Sequence, residues 1–563
     1  MLTSRRVVTF THPLDHCLLP KVCGSKASPF DRSKMNHYQT LGLGLVGVSI
    51  VYFVVASFLA KRYHARRAKE LGCQPAWERP YRWPFGTDLV WEIIQADKNN
   101  IVPNYFLDVY NNRTAKRSTW QQNMLGTMGY VTSDPKNIQA LLATQFNDFE
   151  IGEQRRGNFF PMLGNGIFTT DGKAWEHSRT LLRPQFARQQ VADLQLEEVH
   201  VQDMFRHLTT ENGWTGQVDL VPLFFRLTLD SATEFLFGQS VDSQIAALPG
   251  YTTKARKPGE LDWTAFASCF DGGTNALGVR GRLAELYWLY SPKHFYENCK
   301  EVHRFADYYV NLALTTDLSS LSEQNLEKGQ KKEKYIFLKE LVQQTRDPIE
   351  LRSQLLNILL AGRDTTAGLL GFTFYLLVRH PKVFKKLREN ILEDFGTYED
   401  PKSITFETLK ACSYLQNTLS ETLRIFATVP FNSRRSTRDT TLPRGGGPDG
   451  NSPIYVKKGT EVNYSVHIMH HREDIWGPDV EEFKPERWVG RRPGWEFLPF
   501  NGGPRICLGQ QFALTEAGYV IVRMLQKFDG IETYETDPIV RHAYGLTTAP
   551  LRLPVRLHEA SAN

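Results

Sequence analysis

The sequence predicts a mainly α-helical protein with small β-sheets, built as one large domain behind a single N-terminal transmembrane helix. Three observations carry this. Leu41–Ala60 is a run of twenty residues without a charge. From about Pro75 onward, apolar residues recur mostly at helical spacing, with short extended pieces between them. No internal repeat and no second apolar run of that kind follows. Composition agrees: of 563 residues, 41% are hydrophobic, 23% charged and 12% aromatic, which excludes disordered, collagenous and coiled-coil classes. A net charge of +6 is too mild over this length to suggest a nucleic-acid partner. Seven scattered cysteines form no disulfide framework.

Residues 1–40 read as a tail, with Met35 a natural start for a short leader. The run 41–60 spans about 30 Å at helical rise, the thickness of a bilayer's hydrocarbon core. A cleaved signal peptide has a shorter apolar run nearer the start, so this reads as a retained, single-pass anchor. Lys61, Arg62, Arg66, Arg67 and Lys69 follow it, against Arg32 and Lys34 before it. That bias places the C-terminal bulk in the cytosol. Gly42, Gly44 and Gly47 spell a dinucleotide-like G-x-G-x-x-G, but inside an apolar span helix packing explains them. Residues 61–87 read as a basic and Pro-rich hinge carrying Pro75, Trp77, Pro80, Trp83 and Pro84. The remainder, 88–563, reads as one domain. Within it, Glu323–Lys334 reads as a solvated loop and Pro443–Pro453 as a turn between short strands.

The most informative segment is Phe500–Gly509, FNGGPRICLG. Gly502 and Gly503 let the backbone turn so that N–H groups can face the Cys507 sulfur. The helix that begins after it offers its positive end to the same charge. Gly509 leaves no side chain between that helix and a flat ligand, and Arg505 supplies charge for a carboxylate. A thiolate bound to a metal fits this pattern better than an inert buried cysteine does.

At these residues the chain resembles the cytochrome P-450 superfamily, whose heme-binding pattern F-x-x-G-x-R-x-C-x-G is met by Phe500, Gly503, Arg505, Cys507 and Gly509. The resemblance implies the P-450 fold and heme b with Cys507 as the axial iron ligand. Leu351–His380 reads as one long helix stopped by Pro381. Its Ala361-Gly362-Arg363-Asp364-Thr365 matches the family's distal helix. Gly362 there leaves room for a diatomic ligand, and Asp364 and Thr365 relay protons to it. Read alone, the same residues would be a glycine flaw with a back-bonded hydroxyl. Arg363 is expected to pair with a nearby acid rather than with substrate. Glu421 and Arg424 stand at i,i+3, on one helix face. The family pattern E-x-x-R makes them a buried structural network joined by Arg487. Trp175 and Arg179 match the family's propionate-contacting helix, and Arg434 stands where another propionate arginine is placed. His467, His470 and His471 lack a completing acid or cysteine and read as structural.

More narrowly, Leu360–Gly368, Thr440–Gly447 and Gly166–Arg183 resemble fungal alkane and fatty-acid ω-hydroxylases. The implied activity is a monooxygenase placing one oxygen of O2 into a C–H bond of a lipid-like substrate, a fatty acid or n-alkane attacked at its terminus. Electrons are expected from a separate NADPH–cytochrome P-450 reductase, with cytochrome b5 a second donor to test, and the endoplasmic reticulum membrane is the expected site. The alternative is the same chemistry on a polyketide or terpenoid. A heme-binding electron carrier is a third reading, and it would have no need for Asp364 or Thr365.

Overall fold

The computed structural model describes residues 32–186, 194–251, 263–315 and 336–561. The segment Glu323–Lys334 and most of the N-terminal tail lie outside them. Contacts divide the chain after Arg67.

Helix α1 (Arg32–Glu70) contains the apolar run. From Leu41 onward it is long and apolar enough to cross a membrane, with a mean hydropathy of 2.4 over its best window and none of that window buried. Leu43, Val48, Tyr52 and Phe53 are all exposed, as an anchor's side chains must be if lipid is their solvent. Its 39 residues cover about 58 Å, so the helix outruns a bilayer core of about 30 Å.

The stretch expected to act as a hinge is stitched into the larger unit. Gln74 N–H donates to the Pro453 carbonyl (2.8 Å) and Gly447 N–H to that of Pro75 (3.0 Å). Trp77 and Arg79 pair with Gln121 through two further 2.8 Å bonds. Proline at 75 and 80 costs an N–H only at those positions, so the intervening residues still serve a sheet edge. The five-stranded sheet they border runs in the order Thr119–Met124, Thr127–Thr132, Glu461–Ser465, Phe431–Ser436, Phe149–Glu150. Its first two strands form a hairpin whose turn residues, Leu125 and Gly126, both have positive φ. The glycine run expected as a turn contributes more strand than anticipated: Thr440–Gly446 pairs with Ser452–Val456, leaving 447–451 as the turn.

Helices form the bulk. In chain order those that matter for the site are α2 (Thr87–Lys98), α3 (Gly152–Leu163), α4 (Gly172–Leu182), α5 (Leu194–Phe205), α6 (Leu220–Phe237), α7 (Trp263–Arg282), α8 (Lys293–Thr315), α9 (Pro348–Arg379), α10 (Ser413–Ile425) and α11 (Gln510–Lys527). Helix α9 starts where Asp347 caps the Ile349 and Glu350 N–H groups, and it ends before Pro381. It is buried over most of its length, which marks a central core helix: Leu355, Leu359, Leu370, Phe372 and Leu377 are fully buried. Gly368 and Gly371 let the strand Thr548–Pro550 lie directly on it, since a Cβ at Gly368 would come within 2.7 Å of the Thr548 carbonyl.

Candidate functional site

The loop before α11 is bent by Asn501 and Gly503, both at positive φ. Only glycine fits at 503, because a Cβ would overlap the Leu142 carbonyl. The turn is closed by Cys507 N–H donating to the Phe500 carbonyl (3.0 Å). The N–H brought to the Cys507 sulfur is that of Gly509, the residue capping α11, rather than one from the glycine pair. Burial pushes the thiol up, while the Gly509 N–H and the Arg179 charge favour the thiolate. The sulfur opens onto a cavity of about 770 Å³ lined by Trp175, Arg179, Phe186, Ile506 and Leu508.

Beside it lies a concentration of positive charge. Trp175 and Arg179 share a face of α4, and the Trp175 ring carries the Arg505 guanidinium at 4.4 Å and that of Arg179 at 5.9 Å. Arg179 also donates to the Ile506 carbonyl (3.0 Å) and Arg505 to Asp171 (2.6 Å). Arg434 is buried on its strand, donating to the Ser433 carbonyl (2.7 Å) and to Asn432 (3.2 Å). Its Nε is buried without a partner. Arg155 of α3, which the motifs did not point to, donates to the same Asn432 oxygen (2.7 Å). Burial and the neighbouring Arg434 push its pKa down to about 10, and burial pushes Arg505 to about 10 as well. Four guanidiniums thus gather with Asp171 the one carboxylate ion-paired to any of them among the described residues. Like charges in a low dielectric are costly unless a compensating anion joins them. The two carboxylates of a heme meet that need, so the residues present fit the cofactor.

On α9, Thr365 Oγ1 donates to the Ala361 carbonyl (2.7 Å), the back-bonding that a glycine flaw accommodates. Nothing lies within 4 Å of a Cβ built at Gly362. Arg363 pairs with Asp271 of α7, as expected, and its guanidinium lies against Phe225 and Phe270. Asp364 is buried with Oδ1 unbonded and 3.5 Å from Arg363, and burial raises its pKa. Asp271 is 50% exposed, whereas Arg363 (6%) and Asp364 (12%) are both largely shielded.

Glu421 and Arg424 are fully inaccessible and joined by two 2.9 Å bonds. Arg487 donates to Glu421 at 3.1 Å, and Trp488 Nε1 and Lys484 N–H complete its shell. This ties α10 to the 482–488 segment. The three histidines are buried and held neutral. His470 is pushed down to about 3 by burial, and its Nε2 accepts from Leu498 N–H (3.1 Å).

A thiol loop beside four guanidiniums, whose excess charge the two carboxylates of a heme would offset, is the arrangement of a heme-thiolate protein. The Cytochrome P450 family model matches residues 82–553, and the chain belongs to that family. Among its relatives, cytochrome P450 monooxygenase g430 of Fusarium sp is 52% identical over 88% of this chain and 86% of its own. Cytochrome P450 52A13 of Debaryomyces hansenii is 47% identical over 87% and 93%. Cytochrome P450 52A5 of Candida maltosa is 45% identical over 89% and 93%. The protein is a monooxygenase that uses heme with a cysteine thiolate ligand, O2, a small-molecule substrate and NAD(P)H-derived electrons passed through a reductase partner.

Proposed function

We propose that this chain hydroxylates a fatty acid or n-alkane at its terminus, from the endoplasmic reticulum membrane, with its catalytic unit in the cytosol. NADPH–cytochrome P-450 reductase, docking over Cys507, supplies the electrons, and cytochrome b5 is a further donor to test. The observation that carries the lipid reading is apolar surface in two places. Helix α1 is built for lipid. Trp83, Phe85 and Trp91, at and before α2, and Trp288 and Leu289, just after α7, are large and at least half exposed. Apolar surface of this kind marks contact with a membrane or partner, and α2 and the end of α7 meet through the Asp97–Arg282 ion pair.

When bound, the heme supplies the iron at which O2 is reduced and split. Cys507 holds it, Arg155, Arg179, Arg434 and Arg505 balance its carboxylates, and Trp175 spaces the cations. Phe500, Gly503 and Gly509 shape the loop, while Ala361 and Gly362 keep the facing wall of α9 open. Asp364 holds a proton on a carboxyl that burial keeps from ionising. Thr365 Oγ1 passes it on, and half-exposed Asp271, which holds Arg363 beside Asp364, marks the side from which water replenishes it. Two protons and two electrons turn one oxygen of O2 into water and leave the other in the product alcohol. Glu421, Arg424 and Arg487 keep the loop in register and take no part in proton transfer.

The second reading is oxidation of a polyketide or terpenoid. What favours it is that the narrower motifs lie beside the heme pocket rather than in substrate loops. Full-length protein with reductase and NADPH, fed dodecane, dodecanoic acid and a panel of terpenoids and polyketides, separates the two by mass spectrometry. Terminal alcohols from the straight chains support the proposal. Turnover of the panel alone sinks it.

A further inference from the structure

We propose that Arg282, at the C-terminal end of α7, seats the substrate's carboxylate, so that this enzyme selects fatty acids over alkanes. The inference rests on the lipid reading above. Arg282 Nη2 lies 2.9 Å from Asp97 Oδ1 of α2, and it also donates to the Tyr544 carbonyl. Its guanidinium lies 5.6 Å from the Tyr544 ring centroid. One turn earlier, the α7 backbone at Gly278 packs on Gly545. Three segments remote in sequence therefore meet at this corner.

The arginine is only half used there. A guanidinium grips a carboxylate best through Nε and one Nη, two parallel donors. Asp97 and Tyr544 engage Nη2, while Nε is buried and has no acceptor, an uncommon state for a buried donor. Arg282 and Asp97 are 26% and 30% exposed, so a ligand entering from outside reaches the Nη end of the guanidinium, and Nε opens to it only as the Asp97 contact gives way. Exposed Trp288 and Leu289 follow Arg282 within seven residues, and exposed Trp91 lies on α2 with Asp97, which suits the entry of an alkyl chain carrying a charged head.

Length agrees with this placement. Eleven positions back along α7, Asp271 grips Arg363, the neighbour of Asp364. Those eleven residues cover about 16 Å. An extended chain advancing ~1.25 Å per carbon spans that distance with roughly a dozen carbons. A carboxylate on Arg282 would thus leave the far end of a medium-length chain at the level of Asp364. Asp97 is the competitor: its charge satisfies Arg282 in the absence of substrate and repels an incoming carboxylate.

The test is a titration of the full-length, heme-loaded protein in detergent with dodecanoic acid, methyl dodecanoate and dodecane, read by the substrate-induced shift of heme absorption. Arg282→Gln should weaken dodecanoic acid by about tenfold or more and leave the ester and the alkane within about twofold. Asp97→Asn should tighten dodecanoic acid and spare the other two. A purely structural clasp would lose affinity in both variants. Equal loss for all three ligands in Arg282→Gln, or weaker dodecanoic acid in Asp97→Asn, therefore overturns the proposal while leaving the lipid reading intact. No shift with any of the three in the wild type overturns the lipid reading and this inference with it.

Discussion

Glu421 offers the sharpest test of how the site is held. Its carboxylate accepts two hydrogen bonds from Arg424, one from Arg487, one from the Trp488 indole and one from the Lys484 backbone. In Glu421→Ala all five donors lose their acceptor. Arg487 keeps Asp479 at 2.7 Å, but Arg424 keeps only two carbonyls, those of His470 and Glu482. Breaking a buried ion pair costs about 3–5 kcal/mol, and each stranded neutral donor adds about 1 kcal/mol. The expected loss is therefore about 5–7 kcal/mol, comparable with the whole stability of an ordinary protein, about 5–15 kcal/mol. Because a chain of this length does not unfold in one step, the assay is heme content per polypeptide together with the urea midpoint of heme release. Glu421→Ala should not accumulate with heme, and Glu421→Gln, which retains an acceptor, should fall between it and the wild type. A fully heme-loaded Glu421→Ala protein with a wild-type midpoint would refute the reasoning.

Thr365→Ala should bind heme normally but divert most NADPH consumption to hydrogen peroxide, with Thr365→Ser largely coupled; unchanged coupling in Thr365→Ala would remove the hydroxyl from the relay. Arg155→Gln should speed heme transfer to apomyoglobin, with Arg155→Lys closer to wild type, because the first leaves the propionates one cation short. His470 and His542 are both pushed down to about 3 by burial, so the unfolded chain takes up their protons first. Stability should then be lost as pH falls from about 6.5 toward 3, by about 1.4 kcal/mol per unit for each histidine. His467 and His471 are lowered by burial too, so the urea midpoint at pH 5.5 should lie below that at pH 7.5, and His542→Gln should recover only the one histidine's share of the difference.

Much of this site was readable from sequence because its chemistry is local. Cys507 and Gly509 sit together in ten residues, and Gly503 shares that loop because backbone geometry demands it. The proline flanks of α9 and the i,i+3 spacing of Glu421 and Arg424 are also short-range. Arg155 was invisible for the opposite reason. It becomes meaningful only where α3 meets Asn432, 277 residues later, and a lone arginine in a helix carries no signal of that meeting. Arg282 and Asp97 are likewise ordinary charges until folding brings their helices together. The Pro/Trp stretch reads as a hinge in sequence because proline count says nothing about which alternate residues still find a sheet edge. Its bonds to Gln121 and Pro453 come from the tertiary arrangement alone.

The central claim is that Cys507 is the thiolate that holds the heme. The dithionite-reduced, CO-bound difference spectrum of the full-length protein tests it most directly, with Cys507→Ser beside it. The account predicts the red-shifted Soret band of a thiolate-ligated heme in the wild type and its loss in Cys507→Ser. The same band in Cys507→Ser, or heme bound without that band in the wild type, would contradict it.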